Sequence, residues 1–215
     1  MAKTATILGR KWQLITHFIL TPKGAPCRTD HLNLEEIHSR FNGESSVYGS
    51  VAGGPEVLWI FPFDSAAAFD SFKHPLQAGE TTKLDLHELV DSVTTSLHTF
   101  IPGASKVHAK EPAAAPAFLY NISLKLSTYG VLSTDLDLLG KLGGLHKDEV
   151  YVYASTIGGW KGPVVTLQFP LKSLGDLEKI DDPLGTVLAN AGPELAKTFT
   201  ASIASISTVL YRKLV

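Results

Sequence analysis

Groups able to move a proton recur inside the strand-like stretches of this chain. His17 stands in Gln13-Leu14-Ile15-Thr16-His17-Phe18, and His98 in Ser96-Leu97-His98-Thr99. A histidine titrates near neutral pH, so either could act as a general base toward a bound molecule. Tyr48 and Tyr153 lie in similar segments, and a phenolic hydroxyl can donate to a developing oxyanion. Asn121, Ser123, Lys125, Gln168 and Tyr211 add further polar groups suited to binding a ligand. The same residue types also form satisfied polar layers between sheets, with hydroxyls bonded to their neighbours.

A second constellation is looser. His31, Glu35 and His38 have the spacing that places side chains along one helical face, where they could ligate a metal. Asn33 with Glu36 reads as a capping box, however, which leaves His31 outside the helix. No metal is expected. GxxxxGK[ST], GxGxxG, HExxH and GxSxG are all missing. The glycines from Gly49 to Gly54 run into Pro55-Glu56 and read as a hairpin turn.

Composition narrows the class. The chain has 215 residues, 44% hydrophobic and 19% charged, with a net charge of −2. That is an ordinary globular protein with enough chain for a sizeable core. Scattered lysines and a weak net charge argue against a nucleic-acid surface. Cys27 is the lone cysteine, which excludes an intrachain disulfide, and a reducing cytoplasm is the expected compartment. Lys3, Arg10 and Lys11 before the apolar run Trp12 to Leu20 imitate a leader, but His17 interrupts that run. No apolar run has the length of about 20 residues that a membrane helix needs, so no membrane partner is expected.

The elements that must position the histidines and tyrosines come from an apparent internal repeat. Val47-Tyr48-Gly49-Ser50-Val51-Ala52-Gly53-Gly54 returns as Val152-Tyr153-Ala154-Ser155-Thr156-Ile157-Gly158-Gly159. Phe61-Pro62 returns as Phe169-Pro170, and His74-Pro75-Leu76 as Asp182-Pro183-Leu184. Two halves follow, 10–108 and 117–215, joined by a proline- and alanine-rich linker at 109–116.

Each half opens with an alternating strand: Leu14, Thr16, Phe18 and Leu20 in one, Tyr120, Ile122, Leu124 and Leu126 in the other. A short helix follows, around Ile37 and Phe41, and around Leu138 and Leu142. A hairpin comes next, with Val57, Trp59 and Phe61 matching Val165, Leu167 and Phe169. Ser65 and Ser173 read as caps of a further helix. A last helix, carrying Leu86, Leu89, Val90 and Val93 or Phe199, Ser202, Ile203 and Ile206, precedes a final strand at about 96–101 or 209–214. The order β-α-β-β-α-β, twice, predicts an α+β chain of two ferredoxin-like repeats. Their bare sheet faces are expected to pack face to face.

That arrangement resembles the dimeric α/β-barrel superfamily in a fused, duplicated form. Among its members are cofactor-independent antibiotic-biosynthesis monooxygenases, NIPSNAP-type proteins, Dabb stress proteins and chlorite dismutase relatives. The helix broken before a proline, at Lys73-His74-Pro75-Leu76 and Asp181-Asp182-Pro183-Leu184, is similar to the Asp-Pro step of NIPSNAP-like and monooxygenase-like members. The chlorite dismutase resemblance raises haem, whose ligand histidine lies in the second half. This chain offers only His146 there, beside Gly143-Gly144, so neither haem nor another cofactor is expected.

The functional expectation is a small-molecule-binding protein or a cofactor-independent enzyme working between the sheets. Its chemistry would be proton transfer or oxygenation of a hydrophobic substrate. His17 or His98 would be the base, and Tyr48 or Tyr153 the oxyanion partner. The competing expectation is a non-catalytic structural or assembly protein whose lumen is merely packed and which forms a homo-oligomer through exposed strand edges or helices.

Overall fold

The computed structural model describes residues 7–20, 44–51, 55–74, 90–108, 115–127, 140–141, 145–158, 163–180 and 182–214. The expected helix at 33–43, the His31, Glu35 and His38 set, Cys27, most of the linker and most of the 134–142 helix lie outside them.

Side-chain alternation organises the sheet. Along β1 (Trp12–Leu20), Gln13, Ile15 and His17 share one face, while Leu14, Thr16, Phe18 and Leu20 share the other. β3 (Glu56–Phe63) pairs antiparallel with β1, placing Ile60 opposite Ile15 and Leu58 opposite His17. β2 (Ser46–Ser50) lies beyond β3, and β4 (Val90–Phe100) takes the other edge of β1. β5 (Phe118–Leu126) sits between β7 (Val164–Leu171) and β8 (Ile203–Lys213), with β6 (Tyr151–Gly158) beyond β7. Two more antiparallel ladders, β2 with β8 and β4 with β6, join these groups. The sheet therefore closes in the order β1-β3-β2-β8-β5-β7-β6-β4.

Closure overturns the expected fold class. In place of two ferredoxin-like βαββαβ repeats with sheets packed face to face, the chain forms one closed barrel of eight antiparallel strands with few helices. The reason is edge satisfaction. Stacking two open sheets would leave rows of N–H and C=O groups unpaired at their edges, whereas joining edge to edge pairs them.

Two element boundaries also move. Val90 and Val93 belong to β4, and Ile203 and Ile206 to β8, where helix was expected. Their i, i+3 spacing imitates a helical stripe, but β-branched side chains favour the pleated strand. Ser65 does cap a helix, α1 (Ala66–Asp70), with its Oγ accepting from the Ala68 amide at 3.1 Å. Ser173 instead precedes a 3-10 helix over Leu174–Lys179, where the Asp176 carboxylate accepts from the Ser173 amide at 3.0 Å. Pro183 and Pro193 open α2 (Pro183–Ala191) and α3 (Pro193–Ser202). Gly192, at φ 79°, makes the left-handed turn between them.

Three cores result. Trp59, Phe61 and Phe63 face outward and pack with Phe69 and Phe72 near α1. Val165, Leu167 and Phe169 face outward with Val187 of α2 and Phe199 of α3. The third core fills one end of the barrel itself, where Tyr48, Tyr151, Tyr153, Leu119 and Ile60 surround Ile7 and Leu8.

Candidate functional site

The segment before β1 enters the barrel and stops it. Ile7 and Leu8 are fully buried. The Gln13 side-chain amide donates to the Ile7 carbonyl at 2.8 Å, and the Gly9 amide donates to the Tyr153 hydroxyl at 3.0 Å. Gly9 takes φ 78°, the left-handed region a side chain would strain, to swing the chain from lumen to rim. At the rim the Arg10 guanidinium pairs with Glu44 at 2.8 Å and also with Asp64. Inside, Gln13 and Gln168 exchange amide hydrogen bonds at 3.2 and 3.3 Å. Their strands are not neighbours, so this bond crosses the lumen as a chord.

Beyond it the lumen opens into a cavity of about 130 Å³. Its walls are Ile15, His17 and Leu58 on one side and Asn121, Ser123 and Tyr211 on the other. Thr94, Ser96 and His98 of β4, with Ser155 of β6 and Val164 and Thr166 of β7, complete the lining. No Lys or Arg side chain is among these residues.

His17 comes from β1, and its Nε2 stands 3.7 Å from the Glu56 carboxylate, an ion-pair separation rather than a hydrogen bond. The Tyr211 hydroxyl donates to the same Glu56 oxygen at 2.8 Å. The His17 imidazole beside it holds the Glu56 carboxyl below the usual range, against the opposing effect of burial. Burial, reinforced by the Glu56 charge, pushes the Tyr211 hydroxyl above the usual phenol range. Tyr211 is thus a proton donor that fixes the carboxylate, and the carboxylate faces the imidazole.

His98 differs in kind. It is 6% exposed, and burial pushes its imidazole down to about 4, so it is neutral at physiological pH. Its Nε2 meets the Ser96 hydroxyl at 2.7 Å. Its Nδ1 has no hydrogen-bond partner among the described residues, nor does the buried Asn121 Oδ1. Leaving a buried polar atom unpaired costs about 1–3 kcal/mol, so two of them on one cavity wall mark a place shaped for something polar.

The structure brings His17, His98, Asn121, Ser123 and Tyr211 onto one cavity. It places Tyr48, Tyr153 and Gln168 at the packed end. The Tyr48 hydroxyl donates to the Pro116 carbonyl at 3.0 Å, and Tyr153 accepts from Gly9. Burial raises both tyrosines above the usual phenol range. Lys125, half-buried opposite Val164 and Ser205, is not part of the cavity wall.

Sequence reasoning missed Glu56 by assigning it to the turn Gly53-Gly54-Pro55-Glu56. Extending the alternation of Leu58 and Ile60 by one step would have placed it on the lumen side. It also missed the buried His74, which lies outside the barrel against Phe61 and Phe72 and meets the Thr16 hydroxyl at 2.7 Å.

Haem does not fit the described residues. His146 is buried, but it is not on the cavity wall, and its carbonyl accepts from Lys106. The cavity is also well below the roughly 300–1,000 Å³ of pockets for drug-sized ligands. Among the described residues no three His, Cys, Asp or Glu side chains cluster as metal ligands, and no helix is long and apolar enough to cross a membrane.

Solved structures share this fold. An anthrone oxidase-like protein superposes with a TM-score of 0.60 at 14% identity, covering 95% of this chain and 91% of its own. A candidate monooxygenase of Lactobacillus acidophilus NCFM gives 0.52 at 10% identity over 94% and 93%. A candidate chlorite dismutase gives 0.54 at 13% identity over 95% and 94%. These neighbours belong to the dimeric α/β-barrel superfamily. The chain has their fold. At such identities the likeness speaks for fold alone. No protein-family model matches the sequence, and no curated protein does either.

Proposed function

We propose that the cavity binds a small, neutral, largely apolar molecule carrying a carbonyl or hydroxyl group, and that His17 draws a proton from it. One observation carries this reading: His17, His98 and Asn121 converge on a single cavity with unpartnered buried atoms at His98 Nδ1 and Asn121 Oδ1. Neutrality follows from the lining, because an anion would lose its water without gaining a Lys or Arg partner.

For an enolisable ketone the step is simple. The proton of the carbon beside the carbonyl passes to the His17 imidazole, the C–H electron pair becomes the C=C bond, and the carbonyl π pair moves onto oxygen to give an enolate. Glu56, held by Tyr211, stabilises the imidazolium that results. Hydroxyls of Ser123 and Thr166 lie on the same cavity as donors for the oxyanion. An enolate is also the electron-rich form of a ketone that dioxygen can oxidise. The neighbours described as anthrone oxidase-like and as candidate monooxygenases are compatible with that extension.

The test is hydrogen–deuterium exchange of the α-protons of 2-indanone, followed by NMR in deuterated buffer. Exchange faster than buffer alone, abolished in His17→Gln with the fold intact, supports the reading. Exchange at the buffer rate, or unchanged in His17→Gln, overturns it.

A further inference from the structure

The lumen is one bore with two contents, and the chain itself supplies the first. Ile7 and Leu8 are 0% exposed and belong to the same packed cluster as Ile15, Leu58 and Tyr211. Those last three also form cavity wall. The plug and the cavity therefore share wall residues, and the Gln13–Gln168 pair crosses the lumen between them. Among the described residues, the polar contacts that hold the plug include an amide from Gln13, a hydroxyl from Tyr153, and an Arg10 pair whose Asp64 and Glu44 side chains are 60% and 43% exposed. Exposed ion pairs contribute little, so most of the retention comes from packing of the two side chains.

We infer that Ile7 and Leu8 are specificity-determining residues: they fill the lumen behind the Gln13–Gln168 pair and so set the greatest length of ligand that the cavity accepts. The polar groups sit at the other end, so a ligand's hydroxyl or carbonyl lies toward His17, His98 and Asn121. Its apolar part then points toward the plug. Shortening the plug opens room behind the Gln13 and Gln168 side chains, into which they can withdraw to lengthen the slot, and leaves His17, His98 and Asn121 untouched. This rests on the cavity being the binding site, and two measurements separate the inferences.

The first measurement needs no ligand assignment. Xenon is titrated against methyl-labelled protein, wild type and Ile7→Ala/Leu8→Ala, and shifts are read by NMR. Apolar cavities of this kind stay dry and take up xenon. The variant should gain a xenon site that perturbs the methyls of Leu119 and Ile60, a site the wild type lacks. A variant that folds and gains no such site overturns the inference. Should the double variant fail to fold, Leu8→Ala alone removes fewer contacts and faces the same criterion.

The second measurement uses para-alkylphenols from methyl to hexyl, with binding read by thermal shift. The wild type should reach a length limit, and the variant should move that limit by two or more carbons, with at least about tenfold tighter binding of the first phenol the wild type rejects. A gained xenon site with an unmoved limit overturns the inference as well. If neither protein binds any alkylphenol while xenon enters the variant, the plug stands as the lumen's stop and the binding-site reading is the one that falls.

Discussion

At the end of the barrel that holds Ile7 and Leu8, the large polar side chains are partnered, Tyr48 with Pro116, Tyr153 with Gly9, Gln13 with Gln168 and Ile7, and among the described residues the small Ser46 hydroxyl is left over. At the other end, within the same strands and the same alternation, His98 Nδ1 and Asn121 Oδ1 have none, and a cavity of about 130 Å³ separates the walls. The strands do not distinguish these two ends. Their side chains do. Large aromatic and aliphatic residues close the first, while serines, threonines, histidines and Asn121 are too short or too polar to close the second. The comparison teaches that a barrel lumen is not a site by default. It becomes one where packing stops short and polar atoms are left over.

If this contrast is right, mutations at the two ends should have opposite consequences. The largest effect is expected from Tyr153→Ala, which deletes a fully buried ring beside the plug. It should cost about 3–5 kcal/mol in urea unfolding, in the range seen for large aromatic truncations. A loss below about 1 kcal/mol would mean the plugged end is not a packed core.

Next in size is a pH effect from the open end. His98 titrates near 6.5 when unfolded but is pushed to about 4 in the fold. Between those values the unfolded chain binds more protons, so stability is complete above about pH 6.5 and falls as pH drops toward 4. The His98 contribution to that slope is at most about 1.4 kcal/mol per pH unit. His74 and His146, also pushed by burial to about 4, add to the slope with the same sign. His98→Gln should flatten the acid limb measurably in unfolding curves collected from pH 7 to 4.5, and an unaltered limb would show that His98 is protonated in the fold.

Smaller still is Gln13→Leu, which strands the Gln168 amide in the packed end and should cost about 1–3 kcal/mol. The smallest effect discriminates best. Asn121→Leu replaces a side chain whose carbonyl oxygen is unpaired, so stability should stay within about 0.5 kcal/mol or rise, while exchange of 2-indanone slows. Equal losses for Gln13→Leu and Asn121→Leu would erase the distinction between the two ends.

Much of this was legible before any coordinates. Period-two runs locate β1, β3, β5 and β7 closely, because pleating alternates side chains whatever the tertiary context. The same parity sorts Trp59 and Phe61 outward and His17, Asn121 and Ser123 into the lumen. Closure was not legible, since the ladders that make it join residues as far apart in sequence as Tyr48 and Lys213, and no local pattern encodes which edges meet. Glu56 was hidden by its glycine- and proline-rich neighbours. Ile7 and Leu8 were hidden because two apolar residues have no period. Their role comes from Gly9 and from a lumen wide enough to receive them.

The chord between Gln13 and Gln168, together with the ladders that seal the barrel, has a kinetic meaning. The chord and the β2–β8 ladder span 155 or more residues of chain, and loop-closure entropy must be met before they return any stabilisation. Local hairpins such as β2–β3 can form early, but the lumen exists only after the last seam is made. Until then strand edges stand open to other chains, so a refolding protein is most prone to aggregate just before its cavity appears. The recovery of ligand binding, timed against the recovery of strand signal, would report the closing of the ring.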